Sequence, residues 1–210
     1  SWQVMPNFPP AAWGITRDTR KPRQQDAPLR LVYVGSASFA DTYIEELVHW
    51  AAKHADTVRL HICGYNVSGE IWEWLEAEGF ANVTYDPNGF GYDDLPELLQ
   101  DFDVGVVLYK GNTTNFVYNV PNKVFEYLRC GLEVWYPTEM KGIGNFRKGR
   151  SLPIREMDFS RMDALPPRQA DCEYDVESIK EFTAERAFAP LLRRLGLEGA
   201  APVGGKVQKP

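Results

Sequence analysis

The chain has 210 residues, 44% of them hydrophobic and 13% aromatic, which is enough for one domain with a sizeable core and excludes a chain disordered throughout. A net charge of −6 argues against a general nucleic-acid binder, whose surface would be basic. Cys63, Cys130 and Cys172 are too few and too scattered for a disulfide framework or a zinc site, no apolar run is long enough to span a membrane, and the opening SWQVMPNFPP is no signal peptide, so a reducing, cytoplasmic setting is expected.

Residues 1–28 are rich in proline and carry the basic run RDTRKPRQQ (17–25), which predicts a connector or arm. With no initial Met and VMPNFPP (4–10) so near the start, the chain reads as cut from something longer. The pattern then changes. LRLVYVG (29–35) is a short apolar run closed by glycine, as a buried parallel strand would be. In ADTYIEELVHWAAKHA (40–55), Ile44, Leu47, Val48 and Ala51 recur at helical spacing. TVRLHICG (57–64) is a second strand and GEIWEWLEAEG (69–79) a second helix, with Gly79 as its C-cap. NVTYD (82–86), YDDLPELLQDF (92–102), DVGVVLY (103–109), PNKVFEYLRCG (121–131) and LEVWYP (132–137) continue the alternation, Pro96 being tolerable near a helix start. Residues 137–172 are weakly patterned, with one further strand in SLPIREM (151–157). The stretch 175–195 is helical in pattern, with Pro190 expected to kink or split it, and the Gly-, Ala- and Pro-rich end is expected to fray.

This βαβαβαβαβ order predicts an α/β fold: a Rossmann-like parallel sheet with helices on both faces. The expected division is a connector over 1–28, a Rossmann-like domain over 29–172, a helical tail over 173–197 and a disordered end over 198–210. Ligands in such folds sit outside the carboxyl ends of the strands. Four loops should share that edge, beginning at Gly35, Gly64, Asp86 and Tyr109.

At this edge the helix of residues 121–131 draws notice. Pro121 suits the first helical position, and the free N–H groups of Asn122 and Lys123 would then face the edge. A helix N-terminus attracts phosphate, Lys123 adds a full charge, and Glu126, three residues on, can accept two sugar hydroxyls. Donors for diphosphate beside an acceptor for ribose would suit a nucleotide. The plainer reading is a surface i, i+3 ion pair worth a few tenths of a kcal/mol. Both stand on the residues alone.

The run PNKVFEYLRCGLEVWYP (121–137) resembles the P-x-K-x-x-E-Y, small, Gly, apolar-strand segment of GT-B-fold glycosyltransferases, in their C-terminal, donor-binding domain. LVYVGS (31–36), LHICG (60–64) and DFDVGVVLY (101–109) resemble that domain's first, second and fourth strands, in order, and VMPNFPP its connector from the N-terminal domain. The resemblance covers residues 1 to about 140 and implies a single GT-B half-domain that binds a nucleotide-sugar donor, with the acceptor domain missing from this chain. It implies that Glu126 holds the ribose hydroxyls and that Gly35 and Ser36 form the turn near the diphosphate. Gly64, Tyr65, Tyr85, Asp86 and Pro87 would lie near the base. Lys110, Thr113, Thr114 and Asn115, in KGNTTNFVYN (110–119), would lie beside the sugar. It implies no metal and no further cofactor. Two departures stand out. Tyr118 occupies the position eight residues before Glu126 where retaining members often carry a second glutamate, and GSASFADTY (35–43) lacks the Arg and Lys that many members place after the first strand. Lys123, Lys110 and helix N–H groups would then have to serve the diphosphate.

The alternatives are a non-catalytic nucleotide-binding or interaction module of the same fold, and half of a nucleotide-sugar epimerase. No GxGxxG follows the first strand, and no P-loop or Ser–His–Asp set is visible. His49, His54 and His61 read as structural, Trp72 and Trp74 as core plus a surface or interdomain contact, and Asp93, Asp94 and Glu97 as a solvated helix start. Lys141, Arg147, Lys148 and Arg150 read as a solvated basic loop, with peripheral membrane or phosphate contact as the functional alternative.

Overall fold

Six short runs rich in β-branched and aromatic residues pair into one sheet: β1 (Leu29–Val34), β2 (Val58–Cys63), β3 (Val83–Asp86), β4 (Val104–Val106), β5 (Glu133–Pro137) and β6 (Ile154–Met157). All pairings are parallel, in the spatial order β3-β2-β1-β4-β5-β6. Parallel neighbours need crossovers, and helices supply most of them. They are α1 (Ile44–Lys53), α2 (Gly69–Glu78), α3 (Leu95–Leu99), α4 (Thr114–Tyr118), α5 (Asn122–Arg129) and α6 (Lys141–Arg147), followed after β6 by α7 (Val176–Lys180) and α8 (Ala184–Arg194). This is the Rossmann-like α/β architecture that the alternation predicts. The computed structural model describes residues 5–14, 27–64, 66–166 and 175–197. Tyr65, Cys172, the basic run 17–25 and the end 198–210 lie outside the described residues. No helix among the described residues is long and apolar enough to cross a membrane.

The central strands β1 and β4 are buried on both faces, which is why they read as near-continuous apolar runs, interrupted only at Arg30. Because successive side chains alternate, each face has its own core. Leu31, Tyr33, Ile62, Val104 and Val106 pack with α1 and α2. Val32, Val34, Cys63 and Val134 pack with α3 and α5. The four periodic residues of α1, Ile44, Leu47, Val48 and Ala51, are all fully buried. Its Glu45 and Glu46 lie in the first turn and Lys53 in the last, complementing the helix dipole. Gly79 closes α2 in the left-handed region, φ 60°, with its N–H on the Leu75 carbonyl. Trp72 stacks on Tyr85 at 5.4 Å, and Trp74 packs edge-on against Phe39 and Phe80, so both belong to that side's core margin.

Four local expectations are corrected. Pro121 is the N-cap of α5 rather than its first residue: its backbone is extended (φ −61°, ψ 148°) and its carbonyl accepts from Val124 N–H. Residues 110–119 are not all loop, because Thr113 Oγ1 caps α4 by accepting from Phe116 N–H, and the Phe116 ring stacks on Tyr109 at 4.4 Å. The basic stretch after β5 is largely the helix α6, with Arg147 donating to the Ile154 carbonyl and Arg150 over the Phe146 ring. The tail breaks at 181–183, where Thr183 caps α8, and Pro190 lies inside α8.

One contact fixes α5 on the sheet. Gly105, the middle residue of β4, has no side chain on the α5 face, and the Tyr127 ring fills that space. A Cβ added there would stand 2.2 Å from the ring. The ring reaches on to the end of β1, where Tyr127 Oη accepts from the buried Val34 N–H at 3.0 Å. Burial raises the Tyr127 phenol well above its ordinary pKa, so it stays protonated. Two substitutions test this contact by urea unfolding. Gly105→Ala should destabilise by about 1–3 kcal/mol through overpacking, while Gly69→Ala, with open space around it, should stay within about 0.5 kcal/mol. Tyr127→Phe should cost about 1–3 kcal/mol by leaving Val34 N–H buried without an acceptor. A neutral Gly105→Ala would mean that α5 does not rest on this hollow.

Candidate functional site

An all-parallel sheet brings every strand's carboxyl end to one edge. Strand order reverses between β1 and β4, and at such a reversal the loops leave in opposite directions and open a crevice. Tyr127, laid across Gly105 and bonded at the end of β1, holds the start of α5 over this point.

The tip of α5 carries Asn122, exposed, and Lys123, whose side chain is 26% exposed. Glu126 is buried, with 3% of its surface exposed. Lys123 Nζ donates to Glu126 Oε2, closing an i, i+3 ion pair. The pair is therefore no solvated surface bridge, since its carboxylate sits within the protein, where an unpaired charge would cost several kcal/mol. Lys123 also acts on Cys63, the last residue of β2. Burial pushes that thiol up to about 12, and the charge of Lys123 opposes the rise.

The loops after β1 and β2 meet beside this tip. Gly35 N–H donates to the Cys63 carbonyl at 3.1 Å. A Cβ on Gly64 would stand 2.0 Å from the Gly35 carbonyl oxygen, so only glycine allows this backbone approach. Ser36 is exposed, and its carbonyl accepts from Tyr33 Oη, whose pKa burial raises. Asp86, at the end of β3, accepts from Asn88 N–H at 2.9 Å in an Asx-turn, and its charge too acts on Cys63. Gly35, Ser36, Gly64, Asp86, Asn122, Lys123 and Glu126 thus share one edge.

Other predicted residues lie elsewhere or are engaged. Tyr65 is outside the described residues. The Tyr85 ring lies under Trp72 on the opposite face of the sheet from α5. It also borders a depression of about 170 Å³ formed with Leu75, Phe80 and Val83, away from the α5 tip. Lys110 Nζ donates to the Phe39 carbonyl at 2.9 Å, pairs with Glu46 at 3.3 Å and lies over the Tyr43 ring. Its charge therefore serves α1 and the loop before it. Thr114 and Asn115 stand exposed on α4. Tyr118 is 61% exposed at the end of that helix.

Sequence reading missed the groups that brace this edge. Tyr43 Oη donates to Glu139 Oε1 at 2.8 Å, joining the start of α1 to the turn after β5. Burial, then Glu139, pushes the Tyr43 phenol up to about 12. Asn112 donates to Asp41 at 2.6 Å, and this bond, with one from Ser38, holds the Asp41 carboxyl below its ordinary range. Trp13, from the N-terminal arm, packs on Tyr92 in the loop after β3. The only signal for Trp13 was a large aromatic in a proline-rich arm. Among the described residues, no group of three or more His, Cys, Asp or Glu is arranged to hold a metal ion.

Neither a family model nor a curated protein matches the sequence. Among solved structures, the chain is similar to the C-terminal domain of a glycosyl transferase group 1 family protein (LpcC) from Francisella tularensis. Identity is 9%, the alignment covers 87% of this chain and 98% of that one, and the TM-score is 0.44. It is also similar to WaaG, a glycosyltransferase involved in lipopolysaccharide biosynthesis, at 16% identity and a TM-score of 0.46. That alignment covers 91% of this chain and 49% of WaaG, so the chain spans about half of WaaG's length.

Proposed function

We propose that this domain binds a nucleotide-sugar donor and serves glycosyl transfer to an acceptor held by a domain outside this chain. The observation that carries the reading is Glu126: a carboxylate that is 3% exposed, beside a lysine, at the amide-rich tip of a helix over the strand-order reversal. A carboxylate can accept several donors, and the pair of hydroxyls on a ribose matches its two oxygens. The N–H groups at the start of α5 suit the diphosphate, with Lys123 beside them.

The chemistry follows from this placement. The bond between the anomeric carbon and the terminal phosphate oxygen breaks, the acceptor oxygen forms the new bond, and its proton leaves to a base outside this domain. Negative charge grows on the departing diphosphate, where the α5 amides and Lys123 stabilise it. Glu126 anchors the ribose and takes no part in bond making. The domain by itself is then a binder without turnover. Cys63 and Cys130, buried and outside any disulfide, suit a reducing, cytoplasmic setting.

One observation favours a second reading, a nucleotide-binding module without catalysis. Lys110, which would have neutralised the donor, is engaged by Glu46, and the loop after β1 offers no cation of its own.

Calorimetry with UDP, ADP and GDP tests the binding claim. At least one should bind the wild-type chain, and Glu126→Ala should weaken it about tenfold or more, the worth of lost charge-assisted hydrogen bonds. Equal heats for the two proteins would remove Glu126 from the site. Binding by the domain, without transfer even when an acceptor domain is restored, would favour the second reading.

A further inference from the structure

β3 is the outer strand of the sheet beside β2, and no strand among the described residues lies on its other edge. Leu60 N–H donates to the Asn82 carbonyl at 3.0 Å. Ladder bonds of a parallel pair recur at every second residue, so Thr84 turns its backbone to β2, while Val83 and Tyr85 turn theirs outward. The Val83 N–H is taken by the Phe80 carbonyl at 3.3 Å. The Val83 carbonyl and both backbone groups of Tyr85 are left facing the open edge. The side chains of the same two residues line the depression of about 170 Å³, together with Leu75, Gly79 and Phe80. Glu76 stands exposed on its rim, and Trp72, one turn before Glu76, stacks on Tyr85, so this side of α2 faces the edge.

α2 is charged against its own dipole at this end. Glu76 and Glu78 occupy its last turn with no basic residue there, whereas α1 ends on Lys53 and α5 on Arg129. Glu70, Glu73 and Glu76 repeat at about one-turn spacing, all exposed, so like charges are neighbours. No ion pair among the described residues uses any of these carboxylates. An unanswered acidic row beside an open sheet edge and an apolar depression is complementary to a cationic chain.

We infer that the free edge of β3 docks an extended, lysine- or arginine-rich segment of a partner protein as a further strand. The partner's backbone takes the outward groups of Val83 and Tyr85, and one branched aliphatic side chain fills the depression. Cations two residues before and after it lie on the same face and meet Glu73 and Glu76. Main-chain bonds supply affinity for any extended segment, while the depression and the acidic row select the basic one. A second copy of this chain is disfavoured, because its own acidic row would be brought against this one. The edge lies away from the α5 tip, so the inference stands apart from the donor-binding reading.

Calorimetry on the whole chain with the capped peptide Thr-Lys-Thr-Leu-Thr-Lys-Thr tests this, the leucine and both lysines sharing one face of a strand. The peptide should bind, and its counterpart with glutamate for both lysines should bind at least about tenfold more weakly. A counterpart N-methylated along its backbone should not bind. Hydrogen exchange at the Tyr85 amide should slow about tenfold with the basic peptide bound. Glu73→Lys combined with Glu76→Lys should weaken that peptide about tenfold; both positions are exposed, and lysine forms helix as well as glutamate does, so the fold is kept. Equal binding of the N-methylated peptide, or unchanged exchange at Tyr85, overturns strand addition. Equal binding of the acidic peptide, or full affinity in the double variant, overturns the basic partner. Binding of no peptide overturns the whole proposal, as does self-association in sedimentation that protects the Tyr85 amide with no peptide present.

Discussion

The Tyr127 ring lying in the hollow of Gly105 is the contact on which the rest of the site depends. A helix over a parallel sheet can slide and rotate unless something keys it. Here the missing side chain at Gly105 accepts a whole ring, and the hydroxyl at the far end takes the Val34 N–H. That pins position and rotation together. Glu126 is the residue immediately before Tyr127 on the helix, and Lys123 lies three before Glu126, one turn away on the same side. Once Tyr127 is keyed, those two side chains have little freedom left. The other flank of α5 is closed by Phe125, which packs on Phe8 at 4.5 Å, Phe146 at 5.2 Å and Phe182 at 5.5 Å. Six of the eight residues of α5 are buried, two of them charged, and the tip is what remains open.

The electrostatics of this edge are economical. Lys123 is tied to Glu126, and Lys110 to Glu46 and a carbonyl. In the proposed function, a donor must therefore exchange partners with the ion pair. Ribose hydroxyls take the place of Nζ on the carboxylate, and the lysine swings to the diphosphate. The exchange keeps Glu126 satisfied at each end state, which a buried carboxylate requires. It also means that part of the binding energy goes into breaking an existing contact, so affinity falls below what the same groups would give if unpaired.

Much of the fold was legible because two-sided burial leaves a plain mark. Leu29–Val34 and Val58–Cys63 read as apolar runs closed by glycine, and Ile44, Leu47, Val48 and Ala51 as one helical stripe. What failed was what tertiary contact decides. A five-residue α4 has little intrinsic stability and exists because Phe116 stacks on Tyr109. Pro190 fits within α8, while the break falls over the three residues before Ala184, the last of them the threonine cap. In the site, the Lys123–Glu126 spacing was visible, yet its burial was not. β3 is a four-residue edge strand, too short for its alternation to show which face a residue takes, so Tyr85 looked like a site residue although its ring lies under Trp72. Lys110 looked available because Glu46, which holds it, stands far back in the sequence. Trp13 and Tyr92 are separated by most of the first half of the sheet, and no local pattern joins them.

That last pairing divides the site's support in two. Glu126 is held from beneath, through Tyr127, by the sheet itself. Tyr92 is backed from outside by an arm that crosses α5 and is hydrogen-bonded to the start of α8, through Ala184 N–H to the Pro9 carbonyl and Ala11 N–H to Glu185. Shifting the arm would take Trp13 from behind Tyr92 while leaving the α5 tip keyed to Gly105. The α5 tip and the Tyr92 turn therefore rest on different foundations, one as stable as the core, the other only as stable as the docking of Phe8 and Trp13. The described part of the arm, which carries no strand of the sheet, in this way helps to hold the turn after β3 in place.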